Sequence, residues 1–346
     1  MKYFVAFSAA CLFLFSCGNK KNTPDVSNIQ IDLQVKRFEK DFFAIDTNHL
    51  PEELQKLAAQ YPQFAPDFFT NILGLQKMDD SSAVYIKHFY ASYKPMLITT
   101  NQLFGDFKTD EKEIKQGFQF VKYYFPTYPL PKQIITFIGP MDAYFNGSIA
   151  SYGDVMTQAG PAIGLQLHLG ANAPEYNVGL QSGQIFNYQI ARFTPSTVAV
   201  NTFKNVVDDL FPYSADGKTL IEEMIEKGKR LYVLDKLMPY TDDTLKIGYT
   251  KAQLDGCKSH EGSIWNFFVQ NNLLYSIEPS VNKDYIADGP KTQALGEASP
   301  GYIGLFVGWQ IVNKWMEKND KATLNQLMQK DSKELFNEAG YKPKDN

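Results

Sequence analysis

The stretch QIITFIG, residues 133–139, decides the fold class predicted for this chain. Its β-branched and apolar residues, which end at a Gly-Pro pair, predict a short buried strand. Two stretches that follow support a sheet at this point of the chain. YFNGSIASYG (144–153) contains an Asn-Gly turn signal, and AIGLQLHLG (162–170) alternates apolar and polar residues. Together they predict a small sheet in the middle of the chain.

Helical patterns flank this region on both sides. Before it, one alternating stretch (29–39) predicts a half-buried strand, and three segments have an apolar face at helical spacing. After it, every segment has helical periodicity. The predicted helices are 51–62, 82–97, 110–126, 178–192, 196–210, 217–236, 250–275, 300–317 and 322–330. No repeat or linker interrupts residues 29–346, so we predict one α+β domain that is predominantly helical.

The beginning of the chain is typical of an exported lipoprotein. Residues 1–16 contain a lysine, an apolar run and small residues, and they predict a signal peptide. The ending LFSC resembles a bacterial lipobox, in which Cys17 takes the lipid and becomes the new N-terminus. Residues 17–28 are polar and predict a flexible tether. We therefore expect a protein attached to a membrane through lipid on Cys17.

Composition excludes several classes of protein. The chain has 34 Lys and Arg against 38 Asp and Glu, and this absence of basic excess argues against a nucleic-acid partner. Cys11 leaves with the signal peptide and Cys17 is lipidated, so Cys257 remains alone and no internal disulfide is expected. The sequence has no phosphate loop, dinucleotide fingerprint or nucleophile elbow. We therefore expect no cofactor.

A His-Glu pair, His260 and Glu261, is the one pattern that suggests a metal site. A zinc peptidase helix needs a second histidine four residues after the first, and Ile264 stands there. In the predicted helix 250–275, Glu261 falls in the middle of an apolar stripe, so we expect it to pair with a Lys or Arg of a neighbouring helix. A zinc-dependent peptidase that uses His260 and Glu261, or an unrecognised ligand set, remains the alternative.

Several long stretches, taken together with the lipobox, resemble a known family. They are FTPSTVAVNTFKNVVDDLFP (193–212), DTLKIGYTKAQLDGCKSHEGSIWNFFVQNNLLYS (243–276) and GEASPGYIGLFVGWQIVNKWME (296–317). This set resembles the gliding-motility lipoprotein family GldB of Bacteroidetes-type bacteria. The resemblance implies an outer-membrane-associated lipoprotein that works with other gliding and type IX secretion proteins. Lys20 and Lys21 follow the lipidated cysteine without the acidic run associated with surface export in these bacteria, which favours the periplasmic side. It implies no known reaction, so we expect a non-catalytic anchored scaffold or binding component.

That family is in turn distantly similar to zincin-class peptidases. If helix 196–210 corresponds to the zincin ligand helix, NTFKN (201–205) occupies the place of the His-Glu-x-x-His motif. Asn201 and Asn205 then replace the two histidines, and Thr202 replaces the general-base glutamate. Amide oxygens are weak zinc ligands and a threonine cannot activate water, so this likeness implies a metal-free, inactive relative. A binding module for a peptide or lipid in residues 139–190 is a further possibility.

Overall fold

The computed structural model describes residues 23–149 and 151–345. The predicted signal peptide and Cys17 lie outside the described residues. Val26, which the sequence places in the tether, is buried in the core, so the folded body already includes this residue. In the described part of the chain, no helix combines the length and the apolar character that crossing a bilayer requires.

A four-stranded mixed sheet lies where the sequence predicts it. The sheet contains β1 (Gln34–Arg37), β2 (Gln133–Phe137), β5 (Val155–Thr157) and β6 (Gly160–Gly164), and a separate pair is formed by β3 (Phe145–Asn146) and β4 (Ser151–Tyr152). The strand order in the sheet is β1-β2-β6-β5, and β3 pairs with β4 as the hairpin that the Asn-Gly signal predicts. β2 runs parallel to both β1 and β6, with Ile135 opposite Ala162. The antiparallel edge strand β5 was not predicted.

Helices before and after the sheet account for most of the fold, which confirms the α+β, predominantly helical prediction. Those before β2 are α1 (Phe38–Phe42), α2 (Leu50–Gln60), α3 (Ala65–Asp67), α4 (Asp80–Tyr93), α5 (Met96–Phe104) and α6 (Lys108–Tyr124). Those after β6 are α7 (Asn177–Ser182), α8 (Asn187–Ile190), α9 (Val198–Leu210), α10 (Leu220–Leu237), α11 (Asp243–Ile247), α12 (Lys251–Ser259), α13 (Glu261–Gln270), α14 (Pro279–Ile286), α15 (Ile303–Lys318), α16 (Leu324–Gln329) and α17 (Ser332–Ala339).

Two kinds of packing hold these elements together. Under the N-terminal helices, the ring of Phe38 lies 4.6 Å from that of Phe68 and 4.9 Å from that of Phe64, and all three are buried. In the C-terminal half, α10 and α15 cross so closely that a Cβ added to Gly228 would lie 2.2 Å from the backbone of Gly308. Helix α9 packs against β5 and β6, and thereby joins the helical half to the sheet.

Some predicted elements are shorter or broken. The strand predicted at 29–39 is reduced to β1, and the strand predicted at 162–170 ends at Gly164. The helix predicted at 178–192 is two short helices, because Gly183 adopts a left-handed backbone (φ 73°) that ends α7. The helix predicted at 250–275 breaks at His260, whose φ of −113° and ψ of 27° are not helical.

A candidate ligand pocket beside helix α9

The main candidate site is a cavity of about 250 Å³ between α9 and the segments that precede α9 and α12. We call it the Lys204 pocket. Its walls include the rings of Tyr144, Tyr188, Phe193 and Tyr249, and its polar groups include Arg192, Asn201 and Lys204. The region 139–190, where the sequence suggested a binding module, supplies only part of this lining. Most of the remainder comes from α9, the segment before it and residues 244–253.

Lys204 is the most unusual residue of the pocket. It lies four residues after the buried Val200 and so shares the inward face of α9. Its side chain is only 4% exposed, and it makes no hydrogen bond or ion pair with any residue that the structure describes. Burial and, to a smaller extent, the positive charge of Arg192 lower the pKa of the Lys204 ammonium to about 8, against the opposing effects of Asp288 and Asp208.

The charged neighbours of Lys204 are already engaged. Arg192 donates two hydrogen bonds to Asp288, at 3.0 and 2.6 Å, and its guanidinium lies 5.6 Å from the ring centre of Tyr188. Asp208 accepts hydrogen bonds from the Ser148 backbone N–H, at 2.8 Å, and from the Ser148 hydroxyl. Neither carboxylate makes a direct ion pair with the lysine, although both act on it from a distance.

A second polar group of the pocket also lacks a partner. The hydroxyl of Tyr144 is buried, yet it makes no hydrogen bond with any described residue. An unpaired buried hydroxyl costs free energy, as an unpaired ammonium does.

Lys227 offers a comparison with Lys204, because burial also lowers the pKa of Lys227 to about 8. Its ammonium, however, donates to the Ser148 carbonyl at 2.6 Å and to the Tyr302 hydroxyl at 2.9 Å.

A buried ion pair beneath the pocket fixes the start of α9. The Nε2 atom of His168 lies 3.0 Å from an Asp154 oxygen, and its Nδ1 lies 3.0 Å from the Thr197 hydroxyl oxygen. That hydroxyl donates to the Thr194 carbonyl at 2.7 Å, so both ring nitrogens of His168 face acceptors, an arrangement that an imidazolium satisfies. Burial alone would lower the pKa of His168, but the Asp154 carboxylate raises it above its ordinary value.

The three positions that the zincin likeness singled out have different environments. Asn201 lines the Lys204 pocket. Thr202 is fully buried, and its hydroxyl donates to the Val198 carbonyl at 2.9 Å, whereas the Asn205 amide donates to the Asn201 carbonyl at 3.3 Å. The structure therefore places Asn201 beside Lys204 in one cavity but directs Thr202 into the core.

The His-Glu pair lies elsewhere and is not the middle of a helix. His260 is exposed between α12 and α13, and its Nδ1 lies 3.0 Å from the Gly256 carbonyl oxygen. Glu261 begins α13 and accepts a 2.7 Å hydrogen bond from the Tyr341 hydroxyl. The expectation of a cationic partner for Glu261 was wrong, because the break in the helix places this carboxylate in the first turn, where the helix dipole favours it.

The C-terminal segment packs against the point where the helix breaks. Asp345 accepts a 2.8 Å hydrogen bond from the Ser263 backbone N–H, which caps the free amide groups at the start of α13. A Cβ at Gly262 would meet the backbone of Lys344 and Asp345 at 2.8 Å. Only the folded chain brings these residues together, so the break cannot be inferred from helical periodicity.

Two further observations concern residues with metal or thiol chemistry. Cys257 is buried and free, and burial raises the pKa of its thiol to about 12, which leaves the thiol protonated and unreactive. Within residues 23–149 and 151–345, no group of three or more His, Cys, Asp or Glu side chains is arranged to hold a metal ion. The expectation that the protein uses no metal remains a prediction.

Comparison with known proteins identifies a family. The model of the family described as gliding motility protein GldB matches residues 19–343, which is nearly the whole chain. Comparisons with curated proteins and with solved structures found no match.

Proposed function

The chain belongs to the gliding motility protein GldB family, and on that basis we propose that it acts as a non-catalytic, lipid-anchored binding component of the gliding apparatus. The family gives it a role in gliding motility and a place among envelope lipoproteins. In this proposal, lipid on Cys17 holds the body at the outer membrane, facing the periplasm. Its partners are other proteins of the gliding and type IX secretion machinery.

The lining of the Lys204 pocket is the observation that carries the binding role. The residues described there include no Asp, Glu or His, so the pocket presents no carboxylate or imidazole as a general base. Thr202, at the place where a zincin has its catalytic glutamate, has its hydroxyl bound to a backbone carbonyl inside the core. The unpartnered groups of Lys204 and Tyr144 instead favour recognition of a ligand.

The anchoring role is tested by Cys17→Ala in cells that lack the native copy. Acyl chains contribute about 0.8 kcal/mol per buried methylene, so a chain without them loses its stable hold on the bilayer. We expect the variant to be missing from the outer-membrane fraction and gliding to be lost. Cys257→Ala is the matched control, since this thiol is buried in the body and should leave fractionation unchanged. Recovery of Cys17→Ala in the outer membrane at wild-type levels would contradict the anchor.

The non-catalytic role is tested by the metal content of the purified full-length protein. Amide and hydroxyl groups bind zinc weakly, so we expect elemental analysis to find substoichiometric zinc after purification without chelators. One tightly bound zinc per chain would favour the alternative, a zinc-dependent peptidase. In that case His260→Ala and Asn201→Ala would show which predicted site holds the ion.

A further inference from the structure

We propose that the Lys204 pocket binds the carboxylate of a small organic acid or of a peptide C-terminus. The inference rests on the proposed binding role of this pocket. It is motivated by an ammonium group that is nine-tenths buried and has no partner among the described residues, in a cavity that also contains an unpaired hydroxyl. Buried charges are normally paired, so the missing partner of Lys204 is expected to come from a ligand.

The charge of the ligand follows from the charges around the lysine. Arg192 is neutralised by its two hydrogen bonds to Asp288, and Asp208 is held by Ser148. Asp208 keeps its charge and acts on Lys204 from a distance. Among the described residues that line the pocket, Lys204 is therefore the one cation without a direct carboxylate partner. A carboxylate brings one negative charge, whereas a phosphate group brings about 1.5 to 2 near neutral pH. The single positive charge of Lys204 matches the charge of a carboxylate better than that of a phosphate group.

The body of the ligand follows from the walls of the pocket. The rings of Tyr144, Tyr188, Phe193 and Tyr249 line a cavity of about 250 Å³, slightly below the usual range for small-molecule sites. An aromatic or aliphatic side chain fits such walls, and the Asn201 amide and Tyr144 hydroxyl can hydrogen-bond polar atoms next to the acid. The cavity therefore suits one amino-acid residue bearing a free carboxylate.

The experiment measures binding to the full-length protein in detergent by isothermal titration calorimetry. The probes are N-acetylphenylalanine, its C-terminal amide, the tripeptide Gly-Gly-Phe with a free or amidated C-terminus, and inorganic phosphate. We expect at least one free acid to bind and its amide to bind about 10- to 100-fold more weakly, because the amide loses the charge-assisted hydrogen bond to Lys204. Whether the acetylated amino acid or the tripeptide binds more tightly identifies the source of the carboxylate.

Lys204→Met tests the residue itself, with Lys108→Met as the control. Methionine fills a similar volume without a buried charge, so this variant should unfold at a higher temperature than wild type and bind the free acid about 10- to 100-fold more weakly. Lys108 is exposed at the start of α6, and its replacement should leave binding unchanged. A merely structural lysine would not combine increased stability with lost binding.

The wild-type protein provides a test that needs no variant. The pKa of Lys204 in the free protein is about 8, and Arg192, Asp288 and Asp208 are the charged groups that face it. Affinity for the free acid should be constant below pH 8 and decrease up to about tenfold per pH unit above it, as the ammonium loses its proton. The amide should show no such decrease.

Three results would overturn the proposal: equal affinity for acid and amide, tighter binding of phosphate than of any acid, or no binding of any acid. These outcomes remain distinct from failure of the binding role in gliding. If no acid binds but Lys204→Met abolishes gliding at normal protein levels, the carboxylate is refuted and the role of the pocket in gliding stands. If acids bind but Lys204→Met glides normally, the ligand chemistry stands and the role of the pocket in gliding is refuted.

Discussion

Gly308→Ala should lower the free energy of unfolding by about 3 kcal/mol or more, a large share of the roughly 5–15 kcal/mol that stabilises a typical domain. A Cβ at this position would lie 1.7 Å from the Met224 carbonyl oxygen and 2.3 Å from its carbon, so the obstacle is the backbone of α10 and not a movable side chain. Helices α10 and α15 would have to move apart, and this would open an interface in which almost all residues are buried. Urea denaturation followed by circular dichroism measures the change.

Gly256→Ala is the matched control for this prediction. Gly256 lies within α12, and a Cβ there meets no atom within 4 Å. Alanine is the better helix former by about 1 kcal/mol, so this variant should be as stable as wild type or more stable. Equal effects of Gly308→Ala and Gly256→Ala would show that α10 and α15 do not cross as closely as described.

Asp154→Asn should cost about 3 kcal/mol, because it leaves the buried imidazolium of His168 without its counter-charge. Both side chains are at most 1% exposed, and Asp154 also accepts the Gly164 backbone N–H at 2.9 Å. Asp255→Asn is the control, since it removes a carboxylate that pairs with Lys251 at the exposed surface, and it should leave the denaturation midpoint unchanged.

The pH dependence of this loss has a definite sign. The pKa of His168 is raised in the folded chain, so the ion pair stabilises fully below pH 6.5, and its contribution is lost as pH rises through the folded value. The difference between wild type and Asp154→Asn should therefore be largest in mildly acidic buffer and smaller in alkaline buffer. A difference that grows with pH would mean that His168 is neutral in the native state.

Sequence patterns predicted the sheet and most long helices, because the spacing of apolar residues along the chain differs between buried strands and helices. They could not predict contacts between distant segments. The spacing of Gly304 and Gly308 is a known signal of close helix packing, but it does not reveal that Gly228 is the opposing residue. Similarly, the cap at the start of α13 comes from Asp345, 82 residues away from the amide it caps.

The candidate site was harder to predict. In an alternating strand, His168 would share the polar face with Gln166, but the strand ends at Gly164 and leaves His168 fully buried. Lys204 had a usable signal, since it lies on the same helical face as Val200, and a lysine at a core-facing position is exceptional. That its ammonium has no partner follows only from the positions of Arg192, Asp288 and Asp208 in the fold.

The most direct test of the proposed binding role is gliding of cells whose only copy of the protein carries Lys204→Met. Cells carrying Lys108→Met are the control, and immunoblots of the outer-membrane fraction must show equal amounts of both proteins. We expect the Lys108→Met cells to glide and the Lys204→Met cells to be unable to glide. Wild-type gliding of Lys204→Met cells would contradict a role for the Lys204 pocket in the gliding apparatus.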